Sequence, residues 1–397
     1  MIQLSDHFDC KRLLRFTFPS IIMMVFTSIY GVVDGFFVSN YAGKTAFAAV
    51  NFIFPVLIIL GCAGFMLGTG GSALISKTMG EGNIRKANEI FSLLVWTGAA
   101  LGVALGAAGI ALLPAVASLL GAEGQMWADC VTYGRIILAA LPFYVLQMEF
   151  QCLFATAEKP KLGLAVTVAA GVTNMVLDGL LVGAFRWGVV GAAAATAVSQ
   201  LVGGVIPLIY FGRENSSLLR LTRCPFDGRA LLAACSNGAS ELMSNISMSV
   251  VSMLYNGQLM AKAGEDGVAA YGVLMYVSMI FQAIFIGYAV GTAPVVGYHY
   301  GAGNQGELKG LLRRSAALIG GFSAAMCLAG ETLGMPLSVI FVGYDPDLLD
   351  MTAHAFAIFS VSFLFSGFAI FGSSFFTALN DGLTSALISF LRTLVFQ

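Results

Sequence analysis

Hydrophobic positions in this chain do not alternate; they fill long runs separated by short polar segments. Spans can be drawn at 13–38, 47–76, 88–113, 131–157, 162–185, 189–211, 230–260, 268–297, 311–333, 353–379 and from 383 onward. A helix needs roughly 20 apolar residues to cross the hydrocarbon core of a bilayer, so this pattern predicts repeated transmembrane helices. Pro19, Pro55, Pro142, Pro207 and Pro294 fall inside spans and predict kinks or local unwinding. Gly98, Gly102 and Gly106, four residues apart, predict close helix packing.

Charge gives the spans a direction. Fifteen lysines and arginines sit on alternate connecting segments, from Lys11, Arg12 and Arg15 to Lys309, Arg313 and Arg314. The other segments hold three: Lys44, Arg186 and Lys262. That bias predicts a cytoplasmic N-terminus in a multi-pass plasma or inner membrane protein. Met1 to Arg15 reads as a cytoplasmic lead-in helix, not a signal peptide. Charged residues make up 10% of the chain against about 25% in soluble domains. The formal net charge of -1 argues against a nucleic-acid partner. Seven cysteines and three histidines show no metal spacing, so no transition-metal site and no disulfide is expected. The stretch Gly71 to Thr78 is a poor phosphate loop, with Ser76 in place of the second glycine and no strand before it.

The chain also repeats itself. A shift of 221 positions superposes Gly43 on Gly264, Gly70 on Gly291, and Gly80, Gly82 and Asn83 on Gly301, Gly303 and Asn304. It also brings Phe150, Phe154, Thr156 and Ala157 onto Phe371, Phe375, Thr377 and Ala378. Six spans per unit is even, so the two halves share one orientation. The expected fold is an all-α integral membrane protein with two parallel-repeat six-helix bundles around a central cleft. An N-lobe over 1–212, a cytoplasmic linker over 213–229 and a C-lobe over 230–397 follow. Position 397 matches 176, so roughly thirty-five residues of a twelve-span protein are expected to be missing, leaving about 10.5 spans. At this offset Val395 takes the place of Asn174.

Polar groups inside the spans carry the candidate chemistry. An ionised Asp at a helix centre is unfavourable by roughly 2.5–3.5 kcal/mol, so each one is a functional-site hypothesis. Asn174 and Asp178 lie four apart on one face of the fifth span. Span direction puts Asp34 on the first span and Thr196 on the sixth at the same depth, with Tyr133 near that level. Two carboxylates, an amide and a hydroxyl form an oxygen cage for Na⁺ or a proton site; the alternative is a static network of mutually satisfied polar groups. Glu241, whose repeat mate is Ser20, is a candidate for a cationic substrate or a proton in the cleft, or else a structural acid bonded to Ser240, Ser244 or Asn245. Glu149 either faces the same cleft or bonds to Gln147 and Gln151. Met243, Met248, Met253, Met260, Met275 and Met279, with Tyr255, Tyr271 and Tyr276, either line a cavity or pack helices.

These residues resemble the multidrug and toxic compound extrusion (MATE) transporters of the MOP flippase superfamily. The resemblance rests on Pro19, on Tyr30 to Val38, on the loops Gly80 to Asn83 and Gly301 to Asn304, and on Ala155 to Pro160. It implies a secondary antiporter, not an enzyme. Such a protein exports cationic or amphiphilic small molecules in exchange for Na⁺ or H⁺, with no other cofactor and no partner protein. It carries a cation site over to Asp34, Asn174, Asp178 and Thr196, with Tyr133 as an associated position, Pro19 as a helix bend and Glu241 as a seventh-helix acid. Acids in both halves leave the coupling ion open. The alternatives are a lipid-linked precursor flippase, which favours an arginine-rich cleft while only Arg135 lies well inside a first-half span, and a membrane-embedded enzyme, for which no nucleophile–base pair is visible.

Overall fold

The computed structural model describes residues 2–342 and 346–395, with side chains for all but Lys44, residues 340–342, Val395 and several between 253 and 276. Met253, Met260 and Tyr276 lie outside the described side chains. Twelve helices follow in order among the described residues: α1 (Cys10–Phe37), α2 (Lys44–Gly80), α3 (Ile84–Leu119), α4 (Gly124–Ala139), α5 (Leu141–Thr156) and α6 (Pro160–Leu177). Then come α7 (Gly188–Gly212), α8 (Gly228–Gly301), α9 (Gln305–Val342), α10 (Pro346–Ser360), α11 (Phe363–Ala378) and α12 (Gly382–Phe390). Wider π-helical turns extend α1 over Val38–Ala42, α6 over Asp178–Ala184 and α12 over Leu391–Val395.

By length and composition seven segments can cross a membrane singly, and the bent pairs α4–α5 (58°) and α10–α11 (49°) make nine. The first limb of α8 and the shorter α12 account for the other two expected spans. Of the five span prolines, only Pro142 stands at a break, at the start of α5. Pro19, Pro55, Pro207 and Pro294 lie inside helices that run on. The second bend has no proline, so proline alone does not cause it.

The sequence predicts two spans joined by a loop where α8 is helical throughout, yet α8 cannot be straight. Gly238 packs on Met66 and Gly70 of α2, and Gly297 packs on Ser76 of the same helix. A straight helix would hold these two glycines about 90 Å apart at 1.5 Å per residue. The rings of Tyr255 and Tyr271 stack with centroids 5.3 Å apart, where a straight helix would separate them by about 24 Å. The axis therefore doubles back between those tyrosines, giving two antiparallel limbs.

The repeat is a pseudo-two-fold relation in space, and its glycines show why those letters recur. A Cβ on Gly80 would come within 2.0 Å of the Tyr298 carbonyl, and one on Gly301 within 2.0 Å of the Lys77 carbonyl. Gly80 and Gly301, like Lys77 and Tyr298, are 221 residues apart, so the two helix ends cross backbone to backbone at the axis. Gly82 and Gly303 turn the chain at φ +83° and +68°, in the left-handed region that favours glycine. Asn83 and Asn304 then cap α3 and α9, accepting from Lys86 N at 3.0 Å and Glu307 N at 3.1 Å. The motif is therefore a helix-to-helix turn on the symmetry axis.

The offset does not stay at 221. One residue, Ala140, joins α4 to α5, but two, Val361 and Ser362, join α10 to α11. Beyond the bend the equivalent turns fall 222 apart. Glu158 and Asn380 both have positive φ (58° and 60°). Their N–H groups bond to Ala155 O and Thr377 O. The letter match of Phe150 with Phe371 is thus one residue out of structural register, and the counterpart of Asn174 is Phe396, not Val395. Phe396 lies outside the described residues.

The segments carrying the fifteen basic residues gather on one face of the bundle, with the N-terminus. Residues 4–9 form a strap across that face. Leu4 N donates to Glu158 Oε1 (2.7 Å) at one end, and Phe8 N donates to Glu307 Oε1 (3.0 Å) at the other. Arg314 Nη1 donates to Phe8 O at 2.7 Å, and His7 Nδ1 meets Glu307 Oε2 at 2.7 Å. The segment between α7 and α8 lies along α3, where Arg220 N bonds Asn88 Oδ1 (2.6 Å) and Thr222 N bonds Ser92 Oγ (2.8 Å). Lys86 Nζ donates to Asp227 Oδ2 at 2.7 Å, which holds the Asp227 carboxyl below the usual carboxylate range. Strap and glycine crossings together seal this face.

Candidate functional site

Two polar centres lie inside the bundle. The first is built by α1, α4, α6 and α7. Asp34 stands one turn before α1 widens into its π-helical turn, and Asn174 one turn before α6 does the same at Asp178. Val38 N–H bonds to Asp34 O and Gly35 O, and Asp178 N–H to Asn174 O and Met175 O. Such bulges shift side chains off the ordinary helical register and are frequent at functional sites. Here they end both helices at the same level.

The side chains converge. Asn174 and Asp178 are fully buried, at 1% and 0% exposure. The Asp34 and Asp178 carboxyl groups lie within each other's field. Asn174 Nδ2 points to Thr196 Oγ1 at 3.5 Å. The Tyr133 hydroxyl faces Thr196 and both carboxyl groups. Four oxygens, Asp34 Oδ1, Asn174 Oδ1 and both of Asp178, are buried with no hydrogen-bond donor. A buried acceptor without a donor costs about 1–3 kcal/mol, more when charged, so four in one place is a strained arrangement unless a proton or a hard cation fills it. The depth argument thus brings all five sequence candidates together. It misses Tyr30, one turn before Asp34, whose hydroxyl lies near Gln147 on α5 within the field of Asp34. The spacing of four on one helix face was its available signal.

The second centre is a cavity of about 110 Å³ between the halves. α2 contributes Thr69 and Ser72, the first limb of α8 Glu241 and Asn245, the second limb Gln282, and the turn after α12 Arg392. Asn245 Nδ2 donates to the Glu241 carbonyl at 2.8 Å, so the Glu241 carboxyl itself is left facing the cavity. A chain of hydroxyls runs along the wall: Ser389 to Ser373 (2.7 Å), Ser373 to Ser385 (2.8 Å) and Ser385 to Thr377 (2.7 Å). Among the described residues of the methionine and tyrosine cluster, Met248 is the one in the lining.

Glu149 belongs to neither centre. The expectation that it shares the cleft with Glu241, or bonds to Gln147 and Gln151, is corrected: its Oε2 is turned to Gly98 of α3, and neither oxygen has a partner. Gln147 and Gln151, four residues apart, share one face of α5, and Glu149, two residues from each, projects from nearly the opposite one. Arg135 is exposed on the outside of the bundle beside Phe143 and Leu201, away from the cavity. Pro19 is buried within α1.

A bundle of membrane helices with internal two-fold symmetry, sealed at one face over a polar cavity, has the architecture of a membrane transporter. Solved structures share this fold. A crystal structure of MATE in complex with MaL6 superposes with TM-score 0.93 at 22% identity, covering 98% of this chain and 87% of that one. An outward-facing MATE family multidrug resistance transporter of the MOP superfamily gives 0.89 at 24% identity, covering 98% and 87%. The family model for MatE matches residues 19–180 and 241–397, two segments that begin 222 residues apart. The chain belongs to the MATE family of multidrug efflux transporters. Among curated relatives, the multidrug export protein MepA of Staphylococcus aureus is 22% identical over 383 residues, 96% of this chain and 84% of its own length. Members of the family are ion-coupled antiporters and not enzymes.

Proposed function

We propose that this protein exports amphiphilic or cationic drug-like molecules in exchange for Na⁺ or H⁺, by alternating access. The observation that carries the reading is the set of four donorless oxygens of Asp34, Asn174 and Asp178, buried where α1 and α6 change register together. MepA, a multidrug exporter along nearly the whole chain, supports the drug-like substrate. In this reading residues 1–212 form an N-lobe with the ion site, residues 213–229 a cytoplasmic linker, and residues 230–397 a C-lobe holding Glu241. The N-terminus is cytoplasmic, as the charge bias predicts.

Filling the acidic centre places a positive charge between two facing carboxylates and relieves their repulsion. The two helices carrying them, α1 and α6, then pack differently. α1 also touches the second limb of α8, where Ser20 and Ile21 meet Gly287, so movement of α1 is felt at the cavity. Coupling requires the ion and the drug to prefer different states of the bundle. A sealed N-terminal face corresponds to the state in which drug leaves and ion enters from outside.

The flippase reading is weaker. It needs arginines in the cleft, whereas Arg135 faces outward and Arg392 is opposed by Glu241. Efflux of a fluorescent cation from vesicles under an imposed Na⁺ or pH gradient tests the proposal. Asp178→Asn is expected to abolish gradient-driven export while the protein stays folded in the membrane. Full export by that variant would sink the assignment.

A further inference from the structure

The cavity between the halves contains one acid and one base. Glu241 and Arg392 both line it, each within the other's field, and among the described residues neither side chain makes an ion pair or hydrogen bond. The rest of the polar lining is neutral: hydroxyls of Thr69, Ser72, Ser244 and Ser389, and the amides of Asn245 and Gln282. A monocation could pair with Glu241, but it would leave the Arg392 guanidinium uncompensated in a site of low dielectric and would repel it. An anion has the converse problem at Glu241. A ligand carrying an ammonium and a carboxylate satisfies both groups at once, and the neutral hydroxyls and amides suit its polar connecting atoms.

Arginine has a further property that matters here. Its fork of five N–H donors matches a carboxylate in two parallel bonds, and it does not lose its charge in proteins. The guanidinium is therefore a fixed demand for an anionic group in the cavity. Holding it inside the membrane without a partner is costly, so a ligand that supplies the carboxylate recovers that cost.

From this juxtaposition we propose that the cavity between the halves is a site for zwitterionic amphiphiles, with Glu241 holding the cationic end and Arg392 the carboxylate. The proposal rests on reading this cavity as the substrate site of the exporter.

The test uses three matched fluorescent probes on the purified protein in lipid nanodiscs: Nα-trimethyl-Nε-dansyl-lysine, which is zwitterionic, its methyl ester, which is a fixed cation, and Nα-acetyl-Nε-dansyl-lysine, which is an anion. The zwitterion is expected to bind about tenfold or more tighter than either singly charged probe, the worth of one additional good charge pair. Arg392→Gln should bring its affinity to that of the methyl ester, and Glu241→Gln to that of the acetylated probe. A methyl ester that binds wild-type protein as tightly as the zwitterion overturns the proposal, as does an unchanged ranking in Arg392→Gln or no binding of any probe. If either variant fails to fold, displacement of the bound zwitterion from wild type decides: glycine betaine must compete better than tetramethylammonium or acetate, and equal competition overturns the idea. The export assay separates the two readings. Gradient-driven export of the methyl ester without a zwitterion preference leaves the antiporter standing and removes the zwitterion site; a binding preference without gradient-driven export does the reverse.

Discussion

The two halves share a fold and differ in what they bury. In the first half, Asp34, Asn174 and Asp178 hold donorless oxygens away from solvent. In the second, the symmetry mate of Asp34 is Tyr255, stacked on Tyr271, and that of Tyr133 is His354. It buries instead a chain of hydroxyls bonded to one another along the cavity wall. A two-fold backbone thus carries asymmetric chemistry. One half stores electrostatic strain that a small cation can relieve, and the other lines a cavity with hydroxyls, Glu241 and Arg392 that a larger ligand can meet. Antiport needs two ligands with different demands, and a duplicated frame with diverged interiors supplies them.

That contrast can be broken by experiment. The largest effect expected is the loss of gradient-driven export in Asp178→Asn, and placing an acid at the mate position (Tyr255→Asp in an Asp34→Asn background) should leave export at background in the vesicle assay. Recovery there would mean that the halves are chemically interchangeable. Next comes Gly80→Val at the symmetry axis. Its Cβ would fall 2.0 Å from the Tyr298 carbonyl, and overpacking of this kind costs about 1–3 kcal/mol. Spin-label distances across the N-terminal face should lengthen, with export reduced; unchanged distances would remove the axis from the account of closure.

Smaller effects sharpen the boundaries of the two centres. Glu307→Ala removes the acceptor of Phe8 N and the partner of Arg314, a loss of about 1.5–3 kcal/mol per hydrogen bond to a charged group. Faster proteolysis of residues 4–9 would register it. Glu149→Leu should be the mildest. Because Glu149 is buried with no partner, replacing it is expected to leave export within about twofold and to keep or raise the melting temperature, since an apolar side chain carries no desolvation penalty. Lost export in that variant would add a third acid to the working set.

Much of the site was legible because depth can be counted along a helix. The rise per residue and the span directions placed Asp34, Asn174, Asp178, Thr196 and Tyr133 at one level before any contact was known. The same counting could not orient Glu149 or Arg135. In water a helix shows its buried side as an apolar stripe, but in lipid both the packed and the exposed sides are apolar, so the pattern carries no rotation. Tyr30 is hard to single out for a related reason: a tyrosine in a span gains meaning only from the Asp34 carboxyl and the Gln147 amide that folding brings near it.

Hydropathy, charge bias and the repeated glycine–asparagine loops fixed the spans, their relative orientation and the family resemblance without coordinates, since each is a local or periodic property of the chain. Three things required the folded molecule. α8 reverses direction without leaving the helical state, which shows only in what its two ends touch. One added residue at the second bend moves the repeat from 221 to 222, and letter matching cannot detect it where phenylalanines recur at neighbouring positions. The meeting of Glu241 with Arg392 joins residues about 150 positions apart, a consequence of loop closure and helix rotation that is set by packing rather than by any stretch of sequence.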